Sequence, residues 1–230
     1  HEVTVLTGMP NYPGGKLFDN YTWWRNRYDE MDGVAIVRAP LFLRREGRGW
    51  QLALNFLSFV FSASLVGGWL LKGKTFDIIF VYEPSPFTVG LPGMVMRRLK
   101  RAPMLFWVQD LWPESLTATD AVKSRAALSI VRIMVKMIYR SCDRILVQSE
   151  GFIEPAVAAG AMRDRLEYLP NWAEALYHPV NLASNAQERS EIPAECFVVM
   201  FAGNLGAAQS LDTILDAAEI LKDELINWIF

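Results

Sequence analysis

Cysteine is scarce: two residues among 230, at positions 142 and 196. That excludes a disulfide framework and a Cys-x-x-Cys metal knuckle, and makes a reducing cytosol the simplest compartment. Histidine is equally scarce, and no His/Cys cluster or Asp-x-Asp pair is spaced to hold a metal. No Gly-x-Ser-x-Gly elbow occurs either, so metal-dependent and serine hydrolysis are poor readings. Neither sign of charge is in excess, with 23 Lys+Arg against 25 Asp+Glu and a net charge of −2. A nucleic-acid partner therefore has no electrostatic basis. Polar excess is lacking too: 52% hydrophobic and 21% charged residues exclude a disordered chain. A leading methionine is missing, and both ends, His1–Thr7 and Ile226–Phe230, read as strands. The expectation is a piece of a longer polypeptide whose other parts hold some of the chemistry.

Charge is also missing from Trp50 to Leu71, 22 residues long, with Arg44, Arg45 and Arg48 before it and Lys72 and Lys74 after. That length suffices to cross roughly 30 Å of hydrocarbon. Gln51, Asn55, three serines and Gly67-Gly68 argue against spanning, as does the strand pattern that follows at once. A helix buried in or lying on the protein, a helix touching the membrane surface and a true span all stay open, in that order.

Elsewhere short β-rich runs alternate with helical ones, the pattern of an α/β domain with a parallel sheet and helices on both faces. Strands are expected at 2–7, 34–38, 77–82, 104–108, 144–148, 166–169, 197–201 and 226–230. Helices are expected near 50–72, 87–100, 120–140, 150–159 and 210–223. Each strand ends in polar or turn residues, and ligands of open α/β sheets sit beyond the carboxyl ends. Residues 173–195, with Pro179, Pro193 and mixed charges, read as a connection between residues 1–172 and a second α/β unit opening at 196.

The motifs fall on those strand ends. Gly8 to Lys16 fails as a phosphate loop, because Pro10 stands where the first glycine is required and Leu17 replaces Ser/Thr. It is a surface turn or a ligand-facing loop that brings Asn11 and Tyr12 forward. Glu83 and Ser85 close one strand and Asn171 follows another. Asp110-Leu111-Trp112-Pro113-Glu114-Ser115 offers two carboxylates and an indole, chemistry suited to sugar hydroxyls and a sugar ring's C–H face. Gly203-Asn204-Leu205-Gly206, between a strand and a helix, is either a diphosphate-binding turn or a plain connection. Arg132, Lys136 and Arg140 share one helix face, which is either simply solvated or drawn to anionic lipid or pyrophosphate.

Four runs carry a resemblance: Leu6 to Pro13, Asp110 to Ser115, Pro170-Asn171-Trp172-Ala173, and Phe201 to Gln209. Together, in this order, they resemble glycosyltransferase family 4, and within it the bacterial WbuB-like branch of surface-polysaccharide enzymes. The resemblance implies a GT-B architecture of two Rossmann-like domains. Residues 1–172 would be the acceptor-side domain lacking its first strand and helix, 173–195 the linker, and 196–230 the opening of the donor-binding domain. It implies a retaining transfer from a nucleotide-diphosphate sugar, a UDP-sugar for preference, to a lipid-linked saccharide in O-antigen, capsule or exopolysaccharide assembly. No metal or other cofactor is expected, and the place of work is the cytoplasmic face of the plasma membrane, with peripheral membrane contact. Gly203, Asn204, Gly206 and Gln209 would meet the donor. Asn11, Tyr12, Glu83, Ser85, Asp110, Trp112, Glu114 and Asn171 would face the acceptor, with Asp110 and Glu114 the candidate catalytic residues. Asn204 and Gln209 stand where many family members carry Arg and Lys, as is usual in this branch. A GT-B nucleotide-sugar 2-epimerase and a non-catalytic sugar- or nucleotide-binding domain are the alternatives.

Overall fold

A computed structural model describes residues 1–23, 25–44, 48–118, 122, 124–179, 196–203 and 209–229. The chain divides into two units, one of residues 1–115 with 124–171, the other of 116–123 with 172–230.

The first unit holds two sheets. In one, β1 (Val3–Gly8) pairs parallel with β3 (Val34–Ala39), and β2 (Tyr28–Met31) adds antiparallel to β3. The second runs β4 (Ile79–Glu83), β5 (Met104–Val108), β6 (Arg144–Val147) and β7 (Leu166–Tyr168), all parallel. The strand expectations hold to within two residues at each end. The addition is β2, which the alternation did not predict. It exists because Asp32 and Gly33 take positive φ of 50° and 78°, the geometry of a two-residue hairpin turn.

Helices follow the expected order. α1 (Gly49–Ser62) runs through a π-helical stretch, Ala63–Gly67, into α2 (Gly68–Leu70). α3 (Gly90–Lys100), the short α4 (Glu114–Ala118), α5 (Arg125–Ser141) and α6 (Ile153–Ala158) follow. α5 starts five residues later than its pattern suggests, where the Ser124 hydroxyl accepts the Ala127 N–H.

The main core lies between α3, α5, α6 and one face of the four-stranded sheet. Phe106, Met104, Val108, Ile145, Val147 and Ile138 are sealed there. Each such side chain contributes about 1.5–3 kcal/mol by burial. A second cluster, Val37, Leu71 and Met96 with Leu6, Leu70 and Ile79, joins the end of α2 and α3 to strands of both sheets. Close approach there depends on Gly67, where a Cβ would stand 2.8 Å from the Leu6 side chain.

Among the described residues β1 and β4 each leave one edge unpaired. Between the two edges lies a cleft of about 1660 Å³ lined along the lengths of both strands. The outer face beside it is open, with Val3, Val5, Phe80 and Tyr82 exposed.

Helix Gly49–Leu70 is, among the described residues, long and apolar enough to cross a membrane, with mean hydropathy 1.6. It is mostly not buried: Trp50, Leu54, Leu57, Phe61, Leu65 and Trp69 form an exposed stripe at helical spacing. The stretches 49–70, 90–100 and 125–141 contain no Asp or Glu, while α3 and α5 carry Arg97, Arg98, Lys100, Arg125, Arg132, Lys136 and Arg140.

The second unit contains β8 (Phe197–Met200) and β9 (Ile226–Ile229), paired parallel, and α7 (Leu211–Ile220) between them.

Candidate functional site

The carboxyl ends of β4 to β7 are joined laterally by side chains. Glu83, the last residue of β4, accepts the N–H groups of Gln109 (3.2 Å) and Asp110 (3.3 Å) through Oε2. Its Oε1 accepts the Trp112 indole N–H at 3.1 Å. The Gln109 carbonyl accepts from Gln148 Nε2 (2.8 Å), and Gln148 Oε1 accepts from Asn171 Nδ2 (2.6 Å). Register explains the row: parallel pairing sets Glu83 beside Val108 and Val108 beside Val147. The next residues, 109 and 148, therefore emerge together.

Glu83 is fully buried. Burial pushes its carboxyl up to about 8, against the pull of its hydrogen bonds and with help from the nearby Asp110 charge. At neutral pH it holds its proton. Asp110 is half-buried and also raised, chiefly by desolvation and opposed by a hydrogen bond from Ser85. Ser85 has φ of +142°, a strained conformation for a residue with a side chain. Trp112 packs its ring on Phe87 with centroids 5.2 Å apart.

The structure thus brings Glu83, Ser85, Asp110 and Trp112 into one hydrogen-bonded group and ties Asn171 to it through Gln148. Glu114 is the exposed first residue of α4, where a carboxylate suits the helix N-terminus. Asn11 and Tyr12 lie in the turn after β1 and line the β1–β4 cleft with Ser85. Asn11 Nδ2 donates to the Met9 carbonyl (2.8 Å), and the Arg44 guanidinium sits 4.7 Å over the Tyr12 ring.

In the second unit Gly203 follows β8, and among the described residues a Cβ there would meet Phe201 at 3.6 Å, an ordinary van der Waals contact. Gln209 precedes Ser210, which opens α7 without a side-chain cap. Asn204 and Gly206 lie outside the described residues. Among the described residues no three His, Cys, Asp or Glu cluster as metal ligands would.

Gln109 and Gln148 are the members of the row that motif reading passed over. Their position at strand ends was visible, but their partnership depends on register. Gln109 Nε2 is buried without a hydrogen-bond partner among the described residues. The arrangement offers amides, a carboxylate and an indole at one sheet edge, the donors and acceptors that polyhydroxyl ligands need.

Comparison with known proteins finds relatives among glycosyltransferases. At 25% identity over 97% of the chain and 56% of the relative, it is similar to the putative colanic acid biosynthesis glycosyl transferase WcaI of Escherichia coli K12. At 25% identity over 78% of the chain and 44% of the relative, it is similar to the probable glycosyltransferase WbjE of Pseudomonas aeruginosa. The chain spans about half the length of these curated relatives. Its fold is similar to that of Anabaena Alr3699/HepE in complex with UDP-glucose, with TM-score 0.53, 15% identity, and coverage of 84% of this chain and 46% of that one. This likeness supports the α/β, GT-B type of fold. A family model described as a glycosyl transferase 4-like domain matches residues 1–172, and the chain belongs to that family of glycosyltransferases.

Proposed function

We propose that the complete polypeptide is a retaining glycosyltransferase that moves a sugar from a UDP-sugar to a lipid-linked saccharide in bacterial surface-polysaccharide assembly. The observation that carries this is the family match over residues 1–172, whose sheet edge bears the row from Glu83 to Asn171. WcaI is named for colanic acid biosynthesis, and HepE is described with UDP-glucose. Both names favour a nucleotide sugar and a polysaccharide pathway.

In this reading residues 1–172 are the acceptor-side domain, 173–195 the linker and 196–230 the opening of the donor domain. The β1–β4 cleft is the seat of a further strand, since both edges offer unpaired backbone groups along its length. Asp110 faces the acceptor hydroxyl and orients it through a hydrogen bond. Trp112 offers the sugar ring an apolar face, and Asn11, Tyr12, Ser85, Glu114 and Asn171 complete the acceptor side. The turn from Gly203 through Asn204 and Gly206 to Gln209 holds the donor diphosphate through backbone N–H groups ahead of α7. Catalysis rests on positioning and on stabilising the departing diphosphate, whose oxygens take the acceptor proton, with no resident metal or other cofactor. The exposed stripe of α1 and the cations of α3 and α5 favour peripheral contact with the cytoplasmic face of an anionic membrane.

The test is UDP-glucose turnover by the complete polypeptide with a bacterial total-lipid extract. Turnover that requires the lipid and is lost in Gly203→Trp is expected. Turnover without any acceptor, or unchanged in Gly203→Trp, defeats this reading.

A further inference from the structure

Glu83 is unusual among the buried residues of the first unit. It is a carboxyl group with no exposed surface and, among the described residues, no basic partner, held instead by three neutral donors. Those donors come from residues 109, 110 and 112, a turn whose course the strand ladder no longer controls beyond Val108. An apolar side chain at position 83 would leave two backbone N–H groups and an indole N–H without their acceptor. A second stitch runs alongside, since the Ser85 side chain bonds Asp110. The strained φ of Ser85 persists between these two ties.

We propose that Glu83 is a positioning residue for the acceptor edge: its carboxyl ties the end of β4 to the 109–112 turn and so fixes where Asp110 and Trp112 stand. This rests on the acceptor-side reading above. Glu83 touches no reacting atom; it acts through Asp110 and Trp112. The titratable groups that face it are the Asp110 carboxyl beyond β5 and the Tyr139 phenol on α5, which burial holds above its ordinary value. Neither is a cation, so ionisation of Glu83 adds charge to a site already negative at Asp110 and alters the group that holds the indole.

Glutamine is not a silent replacement. Its amide oxygen can keep the two backbone N–H bonds, but its NH2 group then faces the indole N–H, donor against donor. Trp112→Phe removes that conflict. A purely packing role for Glu83 does not predict this rescue.

The experiment uses 5-fluorotryptophan-labelled protein and 19F NMR, with the Trp112 line assigned by its absence in Trp112→Phe. Between pH 6 and 10 the Trp112 line is expected to move with a midpoint near the value of about 8 at Glu83. In Glu83→Gln it should be displaced and flat with pH. In the complete polypeptide, Glu83→Gln is expected to raise KM for the total-lipid extract roughly tenfold or more, with KM for UDP-glucose unchanged. The double variant with Trp112→Phe should recover part of that loss. A Trp112 line flat with pH in the unaltered protein overturns the proposal, as does an unchanged lipid KM in Glu83→Gln. Absence of UDP-glucose turnover in the unaltered protein would instead defeat the functional reading and leave the NMR result standing.

Discussion

In the four-stranded sheet Phe106, Val108, Ile145 and Val147 are sealed, whereas in the three-stranded sheet every residue of β2 is exposed and Val3 and Val5 are 45% and 40% open. The helices over the two sheets differ as well. α5 turns Arg132, Lys136 and Arg140 outward, and the helix 49–70 turns Trp50, Phe61 and Leu65 outward. The first region seals a core of its own while leaving Phe80, Tyr82, Ile130 and Ile133 exposed; the second seals less and displays more. Stability should therefore concentrate in β4–β7, and association should concentrate on α1.

The largest test of that contrast is a pair of truncations. Phe106→Ala is expected to cost ~3–5 kcal/mol, against less than ~1 kcal/mol for Val5→Ala, by denaturant unfolding. Equal losses would abolish the distinction between the sheets.

A smaller effect is expected at Asp143, which joins α3 to the four-stranded sheet. It accepts two bonds from Arg97, both 2.9 Å, and the Met104 N–H at 2.8 Å. Asp143→Ala should cost ~1–3 kcal/mol, mostly through the stranded Met104 N–H, because both side chains are over a third exposed and water screens the ion pair. The Arg97 guanidinium holds Asp143 at about 2, below the ordinary 3.8. Its contribution is complete above pH 3.8 and fades as pH falls through 2. Acid titration of stability in the variant should lack that component; an identical acid profile would remove the role given to this pair.

The smallest effect concerns the outer faces. Replacing Phe61, Leu65 and Trp69 together by serine should weaken sedimentation with anionic phosphatidylglycerol vesicles about tenfold. The same change at Ile130 and Ile133 should matter less. The reverse ranking would move the membrane-facing surface from α1 to α5.

The sequence made some of this legible. Near-continuous apolar runs such as Met104–Val108 marked buried strands, and the polar residue after each run marked the edge where a site would form. Other features needed the third dimension. The uncharged run 50–71 declared a helix, but hydropathy alone could not tell a buried face from an open one. Glu83 was a candidate by its place after a strand; that its carboxyl reaches residues 109, 110 and 112 depends on β4–β5 register. Gln148 had no motif to announce it. β2 went unseen although Asp32-Gly33 carried a hairpin turn signal, because Tyr28–Met31 has no apolar alternation and stays solvent-exposed. The pattern placed the start of α5 too early, where the Ser124 cap decides the boundary.

The helices of 49–70, 90–100 and 125–141, free of acidic residues, have a consequence for how the molecule moves. A net charge of −2 describes an average, and the seven cations of α3 and α5 leave the rest of the chain markedly more acidic than that figure. Near a negatively charged plane those cations feel an attraction before any contact is made, and it reaches about 8–10 Å at ordinary salt.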